Sequence, residues 1–454
     1  MAKNQVMERV NLEKIISKAE ELGASEVEVI LMNTKSREIM GVKDRIDWII
    51  QSDIVRIGFR IVIGKRVAYY GSEVSSYEDA IKALEIAIKV AKVMNEDRYW
   101  YSLPSKLGKG GNVPIYDDKI VKLSTDEASS LVFDGLKMLS SKSPLIEPVG
   151  LGLDMSEVEY VIANSYGGLM ERLGTLAALY VEARSRDSGK EGTYSDYVVS
   201  RSLEGLKFHE LISRVKERVI DALRAKPIKT KRMDLVFEPK VFAGIIMASF
   251  LPAITADNVQ ANRSPLKGRV GKQVFNERVT MIDDPFKPFF YGSKPFDDEG
   301  VATRVKSIIN NGILKTFLYD HYTARKEGKE STGNAWRDSP SSRPRPWATN
   351  LILNEGDATI EEIISECREC LLISKTIGQW LSNPVSGQVN ATLTHGYLIK
   401  NGKIIDVVKG VTISGNIYDM LGKNLDVIGK GLECYMNVCS PIVKIKNVTI
   451  AGKE

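Results

Sequence analysis

The chain has 454 residues, of which 43% are hydrophobic, and its formal net charge is +5. This is the composition of a soluble globular protein, and the length favours two or three domains. The longest uncharged apolar run, residues 241–254, contains Pro252 and is too short to span a bilayer, so no membrane partner is expected. No basic face with stacking aromatics is visible, so a nucleic-acid partner is not expected either.

The first residues in chain order carry no targeting signal that we recognise. The segment 1–10 is charged and lacks an apolar core, so we expect no secretory signal and a cytoplasmic protein. Leu12–Leu22 then has the apolar spacing of an amphipathic helix, and Glu26–Met32 alternates like a half-buried strand. Val55–Ile63 and Arg66–Tyr70 are two further strand patterns separated by two residues, which predicts a hairpin.

The remainder of the first half continues to alternate between helix and strand patterns. Ser76–Asp79 and Ser124–Glu127 resemble capping boxes and each precedes an apolar helical pattern. Glu157–Ala163 and Leu173–Arg184 predict a second strand-turn-strand unit, and Leu206–Ala225 predicts a long charged helix. Together these patterns predict an N-terminal α/β domain with a mixed sheet and helices.

A basic, proline-containing segment, Lys226–Arg232, lacks periodicity and is our predicted domain boundary. It divides the chain into residues 1–225 and residues 226–454. Beyond it, Pro239 is placed to begin a helix, and Val241–Leu251 is apolar nearly all round, which predicts a buried helix. Asn311-Gly312 and Asn401-Gly402 each lie between apolar runs and predict hairpins. The fold class predicted is therefore α+β, with a mostly antiparallel C-terminal β domain that contains the buried helix.

A proline-rich segment, Ser339–Pro346, predicts an ordered loop that lines a site or an interface. The four cysteines include a CxxC pair, Cys367 and Cys370, near the end of a predicted helix, Ile360–Cys370. The helix C-terminus does not lower a thiol pKa, which argues against a redox motif. We expect all four cysteines to be reduced and structural in a cytoplasmic protein.

The three histidines exclude a conventional zinc-peptidase helix, because no two of them lie within one helical turn of each other. His209 stands on a charged helix and is predicted to lie at the surface. His321 follows a hairpin, and His395 lies in a strand-like stretch. No catalytic nucleophile motif, phosphate loop or dinucleotide fingerprint is present.

Three consecutive acids, Asp297, Asp298 and Glu299, stand between Phe296 and Gly300 in a region rich in strands and turns. Such a triplet usually lies on a solvated loop, but this setting indicates that something holds it in place. Carboxylates suit a hard cation, although on a strand only the first and third side chains would converge. Pairing with Arg304 or Arg337 is the favoured structural role.

Short polar motifs along nearly the whole chain resemble the TldD/PmbA (TldD/TldE) family of proposed metallopeptidases, also described as modulators of DNA gyrase. The resemblance is most specific in the acid triplet segment Pro295–Gly300 and in Ser331–Asn334. The other motifs that carry it are Asn164-Ser165, Gly167, Ser264–Gly268, Gly271, Asn311-Gly312, Thr323-Ala324, Asn350-Leu351, Asn383, Gly387, Asn401-Gly402 and Gly415-Asn416.

The resemblance implies which kind of member this chain is. TldD-like members carry HExxxH on a helix and hold zinc, whereas PmbA/TldE-like members lack it and pair with the first kind to cleave unfolded peptides. Here Met247 and Ala248 fall where the first His-Glu would stand, and Pro252 replaces the second histidine. The chain is thus similar to the PmbA/TldE type, with no metal or cofactor of its own and zinc expected in a TldD-like partner.

The resemblance also implies a peptide-binding role without catalytic residues in this chain. We expect the substrate-binding residues to be Asp297, Asp298, Glu299, Asn334 and Arg337, near a chamber shared with a heterodimer partner. Two alternatives remain open: a homodimeric peptide-binding or regulatory factor without enzymatic role, and a stand-alone peptidase with a metal held by the acid triplet. A homodimer in isolation is compatible with the leading hypothesis.

Overall fold

The first half of the chain forms one six-stranded sheet in a computed structural model that describes residues 10–141 and 143–452. The spatial order is β3-β2-β1-β4-β5-β6, and every neighbouring pair is antiparallel, where a mixed sheet was predicted. Short hairpins join most neighbours, which only antiparallel pairing allows. The strands are β1 (Glu26–Val42), β2 (Arg45–Ile63), β3 (Arg66–Glu73), β4 (Ile146–Asn164), β5 (Leu169–Asp187) and β6 (Lys190–Ser200).

Helices cover one face of this sheet in two groups. The first two helices pack with the apolar residues of β1 and β2, and the fourth and fifth pack near the other end, against β4 and β5. Ser124 and Glu127 form the predicted capping box, whereas the Asp79 carboxylate binds Ser75 instead. The helices are α1 (Leu12–Glu21), α2 (Tyr77–Val93), α3 (Asp118–Lys122), α4 (Thr125–Ser140) and α5 (Phe208–Asp221).

Strand β1 is buried on both faces over its first half, where a half-buried strand was predicted. Val27, Val29 and Leu31 pack with the helices. Ile30 packs on the opposite side with Phe296, which belongs to the second half of the chain. The sheet is therefore enclosed between its own helices and the segment that carries the acid triplet.

The second half is mostly antiparallel sheet, as predicted. Five strands close on themselves in the order β14-β7-β21-β17-β15, because β15 also pairs with β14. Another sheet has the order β10-β9-β8-β13-β20-β19. The strands are β7 (Lys231–Phe237), β8 (Met281–Asp283), β9 (Lys306–Asn310), β10 (Ile313–Leu314), β11 (Ala335–Trp336), β12 (Arg345–Pro346), β13 (Leu351–Leu353), β14 (Glu369–Ile377), β15 (Gln388–Lys400), β16 (Lys403–Val408), β17 (Val411–Asn416), β18 (Leu425–Ile428), β19 (Glu433–Tyr435), β20 (Val438–Ser440) and β21 (Val443–Ala451).

The predicted buried helix is confirmed as α6 (Pro239–Ser249), which begins at Pro239 as expected. Phe242, Ile245 and Ile246 are fully buried in the largest core of the protein. None of the described helices combines the length and hydropathy that a bilayer crossing requires. The remaining helices are α7 (Ala256–Gln260), α8 (His321–Lys326), α9 (Ile360–Ser365) and α10 (Ile417–Met420).

Both Asn-Gly hairpins are confirmed. Asn311 and Gly312 have φ of 47° and 74° between β9 and β10, and Asn401 and Gly402 have φ of 48° and 74° between β15 and β16. Positive φ at both central residues matches the twist of the flanking strands. The predicted boundary segment, Lys226–Arg232, ends inside β7, and the division of the chain near residue 226 stays a prediction.

The predictions for the cysteines are wrong in two respects. Helix α9 ends at Ser365, so Cys370 lies in β14 and the predicted helix Ile360–Cys370 is too long. The cysteines are also not reduced, since Cys367 bonds to Cys370 and Cys434 bonds to Cys439. The second pair consists of directly opposed residues of β19 and β20, whose Cα atoms are 4.0 Å apart.

Candidate functional site

The acid triplet is buried rather than solvated. Asp297, Asp298 and Glu299 are 0%, 6% and 0% exposed, so the inference that something holds them in place is confirmed. They occupy a turn instead of a strand, in which Asp297 Oδ1 accepts the backbone N–H groups of Glu299 and Val301, each at 3.0 Å. The three carboxylates leave this turn toward different partners.

Asp298 is held by cations from both halves of the chain. Its Oδ1 accepts hydrogen bonds from Arg172 at 2.7 Å and Lys294 at 3.0 Å, and its Oδ2 accepts the N–H of Arg337 at 2.9 Å. Burial alone would raise the pKa of Asp298, but Lys294 and Arg172 together hold it well below its usual range. Asp298 is therefore charged at neutral pH and anchors the Arg172 guanidinium.

Glu299 belongs to a chain of buried charges that joins the two halves of the protein. Arg60 of β2 donates to Glu299 at 2.7 Å and also binds Glu28 of β1. Arg337 binds the other oxygen of Glu28 and donates its Nε to the carbonyl of Asp298 at 3.1 Å. Burial opposes the charged form of Glu299, yet the Arg60 guanidinium keeps its pKa below the ordinary value.

Asn334, the fourth predicted binding residue, is also satisfied internally. Its Nδ2 donates to Asp283 at 2.7 Å and to the carbonyl of Trp347 at 2.9 Å, while Oδ1 accepts from Thr332 at 2.8 Å. The structure thus brings Asp297, Asp298, Glu299 and Arg337 into one network and places Asn334 in a neighbouring one. All five side chains are buried, so a direct role in binding substrate stays a prediction.

Asp320, a further buried carboxyl near the triplet, gives the protein a testable pH dependence. Burial and the nearby Glu299 carboxylate raise the pKa of Asp320 to about 7. Between about pH 4 and 7 Asp320 keeps in the folded chain a proton that it releases in the unfolded chain, so its contribution to stability falls as pH rises. Asp320→Asn keeps the oxygen that accepts the N–H of Thr323 at 2.8 Å and removes the titration.

We expect Asp320→Asn to gain stability relative to the parent as pH rises from about 4 to 7, by at most about 1.4 kcal/mol per pH unit. The free energy of unfolding at several pH values measures this. Asp338→Asn, which removes a carboxylate whose side chain is 68% exposed, is the control and should follow the parent. Parallel pH profiles of the Asp320→Asn variant and the parent would contradict the burial argument.

A large cavity lies beside Arg172, the arginine that binds Asp298 of the triplet. We call it the sheet cavity; it has a volume of about 1220 Å³ and is bordered by β1, β4, β5, the segment 109–116 and Pro295. Arg172 lines it, with its side chain 17% exposed and its guanidinium 4.1 Å from the ring centroid of Tyr160. The acid triplet therefore fixes one wall of this cavity through Arg172.

The sheet cavity offers polar groups of both signs on an apolar surface. Glu157, Glu171 and Lys35 line it together with Val113 and other apolar residues of the segment 109–116. Asn33 is 3% exposed, and its Oδ1 has no hydrogen-bond partner within residues 10–141 and 143–452. An unsatisfied buried acceptor is costly, and a donor such as a peptide N–H would satisfy it.

Helix α6 does not present zinc ligands. Met247, Ala248 and Pro252, which stand where the resemblance places the HExxxH residues, are only partly buried and carry a thioether, a methyl group and a pyrrolidine ring. Such groups do not form a hydrolytic zinc site, which draws on imidazole nitrogens and carboxylates. Among residues 10–141 and 143–452, no group of three or more His, Cys, Asp or Glu side chains is arranged to hold a metal.

The histidines lie as the sequence indicated. His209 is exposed, and His395 lies in β15, where burial lowers its pKa to about 4. His321 opens α8, and its backbone N–H donates to Glu299 at 2.8 Å. Burial likewise lowers the pKa of His321, so neither of these two side chains is protonated at neutral pH.

Of the residues that hold the triplet, sequence reasoning predicted Arg337 and missed the others, whereas Arg304 donates to the carbonyl of Ser331 and not to the triplet. Glu28 and Arg60 are charged residues inside apolar strand patterns, which was the one signal that they meet a partner in the core. Arg172 and Asn33 gave no such signal. The predicted loop Ser339–Pro346 packs on the N-terminal sheet, because the carbonyl of Pro340 lies where a Cβ at Gly58 would stand.

Comparison with known proteins shows that this chain is related to metallopeptidases. The sequence pattern of the PmbA/TldA metallopeptidase central domain matches residues 118–223, and that of the C-terminal domain of the same family matches residues 230–452. The chain therefore belongs to the PmbA/TldD family.

Individual relatives agree with this assignment over most of the chain. A metalloprotease from Methanothermobacter thermautotrophicus is 29% identical and covers 87% of this chain and 89% of its own length. TldE from Thermococcus kodakarensis has a TM-score of 0.89 at 28% identity, covering 97% of this chain and 100% of that one. A proposed modulator of a DNA gyrase from Thermotoga maritima has a TM-score of 0.84 at 26% identity, and the match covers 97% of this chain and 99% of that one.

Proposed function

We propose that this chain is the PmbA/TldE-like, non-catalytic subunit of a zinc metallopeptidase assembly that degrades or processes unfolded peptides. The observation that carries the proposal is the end of α6 and the turn after it, where Met247, Ala248 and Pro252 take the places of zinc ligands. The zinc, its bound water and the general base then come from a TldD-like partner with HExxxH, in a cytoplasmic heterodimer. The similarity in structure to TldE supports the same subunit type.

The sheet cavity gives this subunit a role beyond a scaffold. Its volume of about 1220 Å³ is enough for several residues of an extended peptide. The Asn33 oxygen supplies an acceptor for a peptide N–H, and Arg172, held by Asp298, supplies a fixed cation for a carbonyl or carboxylate. The predicted binding residues Asp297, Asp298, Glu299 and Arg337 then act by holding this wall in place.

Mixing the purified chain with a TldD-like chain from the same genome tests the proposal. We expect the two chains to co-purify as a heterodimer and to cleave an unfolded peptide in a chelator-sensitive reaction, because only the partner supplies zinc ligands. The partner with its HExxxH glutamate replaced by glutamine is the control and should assemble without cleaving. A chain that stays a homodimer and ignores the partner would instead indicate a regulatory factor without enzymatic role.

A further inference from the structure

A second cavity lies under the proline-rich loop, away from the sheet cavity. We call it the loop cavity; it has a volume of about 450 Å³ and lies between α7, α8 and residues 343–346. Its residues come from three separate parts of the second half of the chain, so no local sequence motif predicts the loop cavity. The members that carry a charged group or a side-chain amide are Asp257, Gln260, Arg263, Asp320, Lys326, Arg343 and Arg345.

Four cations border the loop cavity, and we call Arg263, Lys326, Arg343 and Arg345 the basic rim. All four are exposed. Arg345 pairs with Asp338 at 3.3 Å. For the other three, no carboxylate within 4.0 Å is found in residues 10–141 and 143–452. Three exposed cations that border one cavity and have no paired carboxylate raise the local concentration of anionic ligands.

The inner residues of the loop cavity carry hydrogen-bond acceptors and no cations. The Oδ1 of Asp257 and the Oε1 of Gln260 are buried acceptors without a partner in the described residues. The orientation of the Gln260 amide is fixed, because its Nε2 donates to the carbonyl of Thr323 at 2.8 Å and to Glu327 at 3.0 Å. Both oxygens therefore lack a hydrogen-bond donor, and an ammonium group supplies three N–H donors.

The aromatic residues beside the rim argue against single-stranded nucleic acid as the ligand. Base stacking needs free ring faces. Lys326 lies 4.5 Å from the ring centroid of Tyr99, Arg325 lies 4.9 Å from that of Tyr101, and Arg343 lies 4.7 Å from that of Tyr322. Each ring already has a cation over one face. We therefore expect the cations, and not the rings, to contact a ligand.

We propose that the loop cavity binds the acidic N-terminal segment of a peptide. The free ammonium group lies against Asp257 and Gln260, and the carboxylates of the first residues bind the basic rim. A site of this kind selects a ligand that carries both charges within the span of the cavity. The inference deepens the proposed function and rests on it for the choice of a peptide as the ligand.

Fluorescence anisotropy with the isolated full chain tests this inference without any cleavage step. The probe is a hexapeptide with two acidic residues at a free N-terminus and an amidated C-terminus that carries the fluorophore. We expect N-acetylation, or replacement of the two acids by their amides, to weaken binding by about tenfold or more each. Added salt should weaken binding of the acidic peptide most, since the rim is exposed.

Two variants assign the contacts. Asp257→Asn should remove most of the preference for a peptide with a free N-terminus over the acetylated peptide. Arg343→Gln should weaken binding of the acidic peptide and leave binding of the amide peptide unchanged. Arg45→Gln, which removes an arginine whose side chain is 76% exposed in the first half of the chain, is the matched control and should change nothing.

Equal binding of free and acetylated peptides, an unchanged preference in Asp257→Asn, or no saturable binding would overturn the inference. So would tighter binding of a single-stranded oligonucleotide than of the acidic peptide. Failure here leaves heterodimer assembly and zinc-dependent cleavage unaffected, because those are measured with the partner. A failure of assembly with intact peptide binding would instead count against the proposed function alone.

Discussion

Arg60→Met is expected to lower the free energy of unfolding by about 3–5 kcal/mol. Arg60 is 1% exposed and binds both Glu28 and Glu299, which are equally buried. Methionine fills much of the same volume but leaves two carboxylates in the core without their shared cation. Urea unfolding followed by circular dichroism measures the loss.

Arg56→Met is the matched control for this prediction. Arg56 lies four positions earlier in β2 and pairs with Glu73 at 2.9 Å, with side chains 39% and 63% exposed. An exposed pair contributes about 1 kcal/mol or less, so this variant should stay close to the parent. If Arg60→Met does not fold, the double variant Arg60→Met, Glu299→Gln should recover part of the stability. An Arg60→Met variant as stable as Arg56→Met would show that the buried network is not essential.

Gly110→Ala is expected to destabilise the wall of the sheet cavity. A Cβ at Gly110 would stand 1.6 Å from the carbonyl oxygen of Thr303, so the backbone of one of the two segments must move. The N–H of Gly110 also donates to Pro295 at 2.8 Å, a bond that such a movement breaks. Overpacking of this kind costs about 1–3 kcal/mol. Thermal unfolding and limited proteolysis within the segment 109–116 measure it.

Gly108→Ala is the control two residues away. Its Cβ would meet only the Cβ of Ala302 at 3.9 Å, which is an ordinary contact. Because alanine also restricts the unfolded chain, this variant should equal the parent or exceed its stability by about 0.4–1 kcal/mol. The same loss in both variants would mean that the contact with Thr303 does not hold the segment.

Local patterns in the sequence predicted much of the fold. The Asn311-Gly312 and Asn401-Gly402 hairpins, the start of α6 at Pro239 and the capping box at Ser124 each depend on residues that are close in sequence. The length of β1 was not predictable in this way. Its second half, Asn33–Val42, carries charged residues on both faces and owes its structure to pairing with β2 and β4.

The candidate site was predictable only in part. The acid triplet stood out because its setting was unusual, and the structure confirms that it is held. Among its partners only Arg337 stood out, since Arg60 is 239 positions from Glu299 and Arg172 is 126 positions from Asp298. The disulfides join cysteines that are only three and five positions apart, and they were missed because the cellular compartment, and not the spacing, was used to predict reduced thiols. The basic rim was missed because it depends on the arrangement of distant segments and not on a local pattern.

The most direct test of this account is the isolated chain in the cleavage experiment. The central claim is that α6 and the turn after it hold no zinc. We expect the purified chain, alone, to carry no stoichiometric zinc by mass spectrometry and to leave an unfolded peptide uncut with or without chelator. One tightly bound zinc per chain together with chelator-sensitive cleavage by the chain alone would contradict the account.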